Sequence, residues 1–398
     1  MMNSKLNIGL FGFGTVGGGL FHVLEKGKTV DATIKKICIR NPQKERSLSP
    51  EHFTFNPDDI LDDPEINLVV ELIDDAEAAY AIVKKALQKG KSVVSGNKRM
   101  IAYHLDELIR LQEEHHVALL YDASACGSIP VIRNLEEYYD NDLLKSITGI
   151  LNGSSNYILT RLFNDDMSYP EALKQAQDLG FAESDPTFDV DGFDAMFKLV
   201  ILAMHSLGAY VHPEKVLHYG ISQISVSDIR YAKEKGLKIK LIGQIIKLDK
   251  DQFTLFVLPR LVRPDEYIFN VEYEYNGVVI EGECYDKQFM FGKGAGAYPT
   301  GSAVLSDITA RMHNYRYEYK KNRYFKPLEY TDDVLLEIYL RYENLVDFSL
   351  FDFENISEKY TGPSTNYVVG TIRLSQLKKI VKILPKLNVF LAFTGKLE

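Results

Sequence analysis

An apolar run, Leu6-Asn-Ile-Gly-Leu-Phe11, passes directly into Gly12-Phe-Gly14-Thr-Val-Gly17, then through Gly18 and Gly19 into the helix-forming Leu20-Phe-His-Val-Leu24. A strand that enters G-x-G-x-x-G and leaves as a helix admits few folds. The spacing predicts the first βα turn of a Rossmann-type, doubly wound parallel sheet. Gly12 permits the tight turn, Gly14 lets backbone approach a pyrophosphate, and Gly17 lets the helix pack close to the strand. The helix N-terminus then faces the anion. Gly12, Phe13, Gly14, Thr15, Val16 and Gly17 are the candidate cofactor contacts.

The second strand bears on the choice of cofactor. Thr33-Ile-Lys-Lys-Ile-Cys-Ile39 ends at Arg40, about twenty residues past the glycine turn, where an acid would bind a ribose 2′-hydroxyl and an arginine accommodates a 2′-phosphate. No acid stands there, so Arg40 predicts NADP, the alternative being a solvated surface arginine. Strands at 67–73, 92–95 and 117–121 alternate with helices at 77–89 and 103–115, which extends the parallel sheet. Ligands gather at the carboxyl ends of such strands. Gly96-Asn97-Lys98 and Asp122-Ala-Ser-Ala-Cys-Gly-Ser-Ile-Pro130 lie at two of them. Lys98 is predicted to enter the ligand crevice, the alternative being a surface lysine in a loop.

A second domain begins with the strand 145–151, the turn Asn152-Gly-Ser-Ser-Asn156 and the helix 157–163. A glycine-bearing polar turn at a helix start suits a carboxylate or phosphate, or is simply an N-cap. Five acids and Lys198 then occupy Gly180–Lys198, and the chain is apolar on nearly every side from Phe193 to Met204. A helix apolar all round is buried, so Lys198 is predicted to sit in the interior. Asp191, Asp194 and Lys198, spaced i, i+3 and i+7, are predicted to share one helical face. A buried lysine among carboxylates is suited to proton transfer, the alternative being a structural ion pair. Strands are predicted at 240–246 and 253–258. A second glycine-rich loop, 291–300, leads into a helix, 303–312, that returns to the first domain.

The net charge of −9 lacks the basic footprint of a general nucleic-acid surface. Three scattered cysteines without C-x-x-C predict neither disulfides nor a zinc site, and fit a cytoplasmic protein. No signal peptide is read, and no apolar stretch reaches the ~18 residues of a membrane span.

GFGTVGGG, SGNKRM, DASACGSIPVI, LNGSSNYIL, GFAESDPTFDVDGFDAMFKLVILA and GKGAGAYPTGSAVLSDI, in this order, closely resemble the homoserine dehydrogenase family over residues 5 to about 315. The resemblance implies NAD(P)H-dependent reduction of aspartate 4-semialdehyde to homoserine, on the route to threonine, methionine and isoleucine, by a homodimer or higher homo-oligomer. By resemblance, Lys198 is the catalytic lysine and Lys98 a second active-site lysine near the nicotinamide. Glu183, Asp189 and Asp194 position the substrate and the lysine. Gly153 and Ser154 contact substrate, Arg40 the 2′-phosphate, and Gly296 the cofactor. Asp122, with the carbonyls of Ala125, Gly127 and Ile129, matches a loop that binds a monovalent cation, sodium or potassium.

The chain departs from the family pattern at Asp122, usually glutamate, and at Asp74-Asp75, usually paired glycines, which are predicted to turn outward. Two other readings stand beside this one: another amino-acid semialdehyde oxidoreductase, and a non-catalytic NADP-binding sensor. A phosphorylating semialdehyde dehydrogenase would need a cysteine nucleophile, and Cys126 has no evident histidine base.

The domain reading is 1–145 for the nucleotide domain with a returning helix near 300–320, and 146–299 for an α+β substrate and dimerisation domain. The segment 328–398 is read as a degenerate ACT-like α+β tail. The tail is predicted to hold strands at 334–341, 365–373 and 388–393 and a helix at 374–384. Glu343-Asn-Leu-Val-Asp-Phe-Ser replaces the glycine-bearing ligand loop of ACT modules, which predicts little threonine feedback.

Overall fold

The computed structural model describes residues 5–27, 30–46, 48–362 and 365–397. They form two compact units, Met1–Asp140 with Lys293–Arg323, and Asn141–Gly292 with Tyr324–Glu398.

Unit 1 holds a six-stranded sheet: β1 (Leu6–Phe11), β2 (Ala32–Cys38), β3 (Phe53–Thr54), β4 (Leu68–Glu71), β5 (Ser92–Ser95) and β6 (Leu119–Leu120). Its order is β3-β2-β1-β4-β5-β6 and every pairing is parallel. The winding reverses between β1 and β4, and ligands of such sheets bind at that point. β1, β4 and β5 are almost wholly buried, as strands covered on both faces must be.

The helix Thr15–Lys26 starts directly at the glycine turn. Glycines that would weaken an ordinary helix are required in this one. A Cβ on Gly17 would meet the Gly12 carbonyl oxygen at 2.4 Å, and one on Gly19 would meet that of Ala297 at 2.1 Å. The second contact seats the late helix, Ala297–Met312, against the first, and a Cβ on Gly301 would in turn meet Gly19 backbone at 2.8 Å.

Unit 2 holds an eleven-stranded sheet. Its strands are β7 (Leu144–Ile150), β8 (Leu217–His218), β9 (Lys238–Leu248), β10 (Gln252–Val262), β11 (Tyr275–Gly282), β12 (Asp286–Lys293), β13 (Glu329–Tyr330), β14 (Leu335–Tyr342), β15 (Phe353–Thr361), β16 (Asn366–Arg373) and β17 (Val389–Leu397). They run β12-β11-β7-β9-β10-β17-β14-β16-β15, with β8 and β13 on β10. The helix Phe193–Leu207 packs on β7, β9 and β10. Every residue from Asp194 to Leu207 is buried, as its all-round apolar sequence requires. Gly192 (φ 86°) and Gly208 (φ 68°) bound it in left-handed conformations.

From β14 onward the tail has the element order βαββαβ, with helices Leu345–Phe348 and Leu374–Ile380, and these strands lie in the order β17-β14-β16-β15. It shares the sheet of unit 2, where β17 meets β10 at Arg260 and Phe393. A buried ion pair adds to this. Arg341 Nε on β14 lies 3.0 Å from both carboxylate oxygens of Asp228, and Arg341 Nη2 donates to the Gln223 carbonyl at 2.8 Å.

Candidate active site

In unit 1 the glycine turn is open for a ligand. Gly12 has φ 91°, and a Cβ there would meet the Leu72 carbonyl oxygen at 2.5 Å. A Cβ on Gly14 would meet nothing within 4 Å. Gly14 caps the helix without a side chain, so the first N–H groups of the helix are left for an anion. Arg40, two residues past β2, is exposed and has no ion pair or hydrogen bond among the described residues. Gly296 (φ 122°) immediately precedes Ala297, the residue against Gly19. The second glycine loop is thereby brought to the helix that the first one starts.

Lys98 is helical and half-buried. The helix expected at 103–115 spans Lys98–Glu114, because Asn97 caps it by accepting from Met100 N–H at 2.9 Å. Asp74 and Asp75 are exposed, and Asp75 caps the helix Ala76–Gln88 through Glu77 and Ala78 N–H.

Sequence reasoning missed Glu71, fully buried at the end of β4. It accepts from Ser95 Oγ at 2.6 Å and from Ile73 N–H at 2.7 Å, and Ser95 Oγ accepts from Asn97 N–H at 3.1 Å. This chain of bonds ties the end of β4 to the turn that carries Lys98. Burial pushes the Glu71 carboxyl up to about 7. An acid inside the apolar run 67–73 was the available signal.

The loop after β6 folds as a short helix, Ala123–Cys126, with Gly127 at φ 56°. Ser128 N–H and Oγ bond the Lys293 carbonyl at 3.0 and 3.1 Å, which ties this loop to the second glycine loop. Asp122 is buried and accepts from Arg133 N–H at 3.2 Å. Asp307, fully buried, accepts from Arg133 Nη2 at 2.6 Å and from Asp122 N–H at 2.9 Å. Burial, with the Asp122 carboxylate second, raises the Asp307 pKa. Two buried acids face one arginine here. The Ile129 carbonyl accepts from Val131 N–H at 2.8 Å. No three His, Cys, Asp or Glu side chains converge as a metal site among the described residues. Cys126 is fully buried.

In unit 2 the buried lysine meets its carboxylates. Lys198, 7% exposed, donates to Asp194 Oδ2 at 2.7 Å and to the Leu151 carbonyl at 2.6 Å. An ammonium has three N–H donors, so the third remains for a reacting oxygen or a water. Asn152 Nδ2 bridges Asp189 Oδ1 at 2.7 Å and Asp194 Oδ2 at 2.9 Å. Asp191 does not join this group. It precedes the helix, and its carboxylate accepts from Ser222 Oγ at 2.7 Å. The predicted shared face fails at that residue because Gly192 breaks the helical register. The second acid is instead Asp189, reached through Asn152.

Gly153 and Ser154 begin the helix Gly153–Asn164, where their N–H groups lack intrahelical acceptors. The Ser154 hydroxyl is turned to the Phe181 carbonyl at 2.5 Å, which ties the turn to the loop that carries the exposed Glu183. Lys240, 1% exposed, anchors the far end of the same turn, donating to Asn156 Oδ1 at 3.1 Å and to the Val271 carbonyl at 2.6 Å. Burial lowers its pKa to about 8. Lys240 also escaped the sequence reading, as one lysine at the start of an apolar strand.

The family model described as "Homoserine dehydrogenase" matches residues 130–309, and "Homoserine dehydrogenase, NAD binding domain" matches residues 12–122. A homoserine dehydrogenase of Bacillus subtilis is 35% identical over 350 residues, covering 84% of this chain and 81% of that protein. One of Helicobacter pylori is 38% identical over 314 residues, covering 77% and 74%. The crystal structure of a homoserine dehydrogenase from Thiobacillus denitrificans superposes with TM-score 0.84 at 30% identity, over 99% of this chain and 97% of that one. A hyperthermophilic archaeal homoserine dehydrogenase in complex with NADPH superposes with TM-score 0.69 at 27% identity, over 79% and 99%. With its nucleotide turn and its buried lysine on a polar turn both in place, the chain belongs to the homoserine dehydrogenase family of NAD(P)-dependent oxidoreductases.

Proposed function

We propose that the enzyme reduces L-aspartate 4-semialdehyde to L-homoserine with NADPH as the preferred nucleotide, and that Lys198 supplies the proton. The observation that carries this reading is the buried Lys198–Asp194 pair held on Leu151 and Asn152. When bound, the reduced nicotinamide supplies a hydride to the aldehyde carbon. The carbonyl π pair moves to oxygen, which takes a proton from the third N–H of Lys198, directly or through a water. Asp194 and Asp189 hold Lys198 and its turn, and Lys98 polarises the carbonyl oxygen. Glu183 accepts the substrate ammonium, and the N–H groups of Gly153 and Ser154 receive the carboxylate.

The open turn at Gly12–Gly17, with Phe13, Thr15 and Val16, fits a pyrophosphate, and Gly296 lies against the same helix. The unpaired Arg40 fits a 2′-phosphate, and the NADPH bound by the archaeal relative is in keeping with it. A monovalent cation would be held by Asp122 and by the carbonyls of Ala125, Gly127 and Ile129. Carbonyl and carboxylate oxygens suit a hard cation.

The protein works as a homodimer or higher homo-oligomer in the cytoplasm. β12, at the end of the sheet, exposes Phe289 and Phe291 beside Tyr267, an apolar edge suited to a second copy. Its three cysteines are free, as a reducing compartment would keep them.

The test is NADPH oxidation on addition of aspartate 4-semialdehyde, repeated with NADH and with sodium, potassium or neither. Oxidation that depends on the aldehyde supports the reading. Nucleotide binding without turnover would make the protein a sensor.

A further inference from the structure

We propose that Asn152 is a positioning residue for proton transfer: its amide nitrogen gathers Asp189 and Asp194 and fixes Lys198 through Asp194. The proposal rests on the reading of Lys198 as proton donor.

The two ends of this side chain do different things. Asn152 is 4% exposed and ends the turn between β7 and the helix Gly153–Asn164. Its Oδ1 accepts from Ser155 N–H at 2.8 Å and so caps that helix. Its Nδ2 donates to Asp189 Oδ1 at 2.7 Å and to Asp194 Oδ2 at 2.9 Å. The opposite orientation is excluded by chemistry. A flipped amide would aim its oxygen at two carboxylates and its nitrogen at an N–H, leaving three contacts without a matching donor or acceptor.

The geometry makes this more than a cap. Asp194 Oδ2 is the oxygen that Lys198 also reaches, at 2.7 Å, so one carboxylate oxygen is fixed from two directions. Lys198 donates in addition to the carbonyl of Leu151, the preceding residue, at 2.6 Å. Two successive residues of one turn thus hold both members of the ion pair. That fixes the direction in which the third N–H of the ammonium points. The amide N–H groups also lie between Asp189 and Asp194, which as bare carboxylates would repel each other. A displacement of ~1 Å in such a group is enough to cost ~10²-fold in rate.

Asn152→Asp separates the two roles. Aspartate caps a helix as well as asparagine does, but it places a third carboxylate where the donor was. The variant should melt below the wild type, because three carboxylates then crowd one buried turn, and the folded protein should keep its KM for NADPH. Its kcat should fall about tenfold or more, with an altered solvent deuterium isotope effect on kcat, because the proton source is misplaced while the nucleotide site is untouched. Asn152→Ser is the second variant, since serine also caps but has no amide to bridge the acids. If the side chain were a cap only, both variants would turn over normally and only Asn152→Ala would be impaired. Normal kcat and isotope effect in either folded variant overturns the proposal. Lys198→Ala run in parallel keeps the two readings apart. Full activity there removes the premise, whereas an inactive Lys198→Ala beside an active Asn152→Asp removes the positioning role alone.

Discussion

The ammonium of Lys198 and the carboxylate of Asp194, one helical turn apart, meet at 2.7 Å with side chains only 9% and 6% exposed. A pair so enclosed is costly to break, because the remaining member is left as a buried charge, a loss of about 3–5 kcal/mol. Lys198→Ala should therefore lower kcat by ~10²-fold or more and also lower the melting temperature, while NADPH still binds. Rates measured on protein shown to be folded, together with a nucleotide dissociation constant, decide it. Near-normal turnover would reduce the pair to a structural one.

Gly14 offers a separation of fold from binding. Its φ is −93°, and a Cβ there would touch no protein atom within 4 Å. Gly14→Ala should melt like the wild type and yet lose affinity for NADPH and NADH alike, because the methyl group enters the space left for the pyrophosphate. Isothermal titration beside thermal denaturation reads both. Unchanged nucleotide affinity would show that the ligand does not approach this glycine.

Arg40→Ala should weaken NADPH about tenfold or more, the scale of one charge-assisted hydrogen bond to phosphate, and leave NADH nearly unaffected. Equal losses for the two nucleotides would mean that Arg40 does not contact the 2′-phosphate.

Glu71 gives a pH dependence of stability. Its carboxyl titrates at about 7 in the folded chain against a reference of 4.5, with burial the main cause. Between those values the folded chain keeps a proton that the unfolded chain has released. The contribution is therefore complete below pH 4.5 and is lost as pH rises through 7. The span is worth about 3 kcal/mol. Glu71→Gln, which stays neutral, should be more stable than the wild type at about pH 8, and the advantage should shrink on acidification. Denaturant titrations across that range measure it, and parallel curves for the two proteins would rule it out.

The tail should not confer sensitivity to threonine. After β14 the chain passes through Glu343 into the four-residue helix Leu345–Phe348, capped by Asn344, with no glycine to open the turn. The tail packs through the Arg341–Asp228 pair, and Arg341→Met would leave the Asp228 carboxylate buried without its cation, a loss of about 3–5 kcal/mol. Threonine at millimolar concentration should leave the rate of the intact enzyme unchanged. Strong inhibition at sub-millimolar threonine, lost on deletion of residues 328–398, would refute this.

Much of the nucleotide unit was legible because its signals are local. An apolar strand, a glycine turn and an arginine at the next strand end each constrain their own neighbourhood. Lys198 was legible for the same reason, as one charge in an apolar helix. Its ion-pair partner Asp194 was legible with it, but the rest of the group was not. Leu151 reaches Lys198, and Asn152 reaches Asp194, from more than forty positions away, and Gly192 silently removed Asp191 from the expected face. β15 escaped notice because it lies at the outer end of the sheet and is largely exposed, so its sequence carries no apolar alternation. Glu71 and Lys240 were each visible as a charge out of place, but the sequence did not show what each one holds.

The contact of Gly19 with Ala297 has a consequence for synthesis. The N-terminal helix is matched to a helix that leaves the ribosome nearly three hundred residues later, after most of the other unit has been made. A nascent chain that ends before Ala297 therefore carries a glycine-lined groove where its partner helix belongs. Until that helix arrives, the first half-sheet is an unfinished surface, and the order of translation itself sets when the nucleotide unit can close.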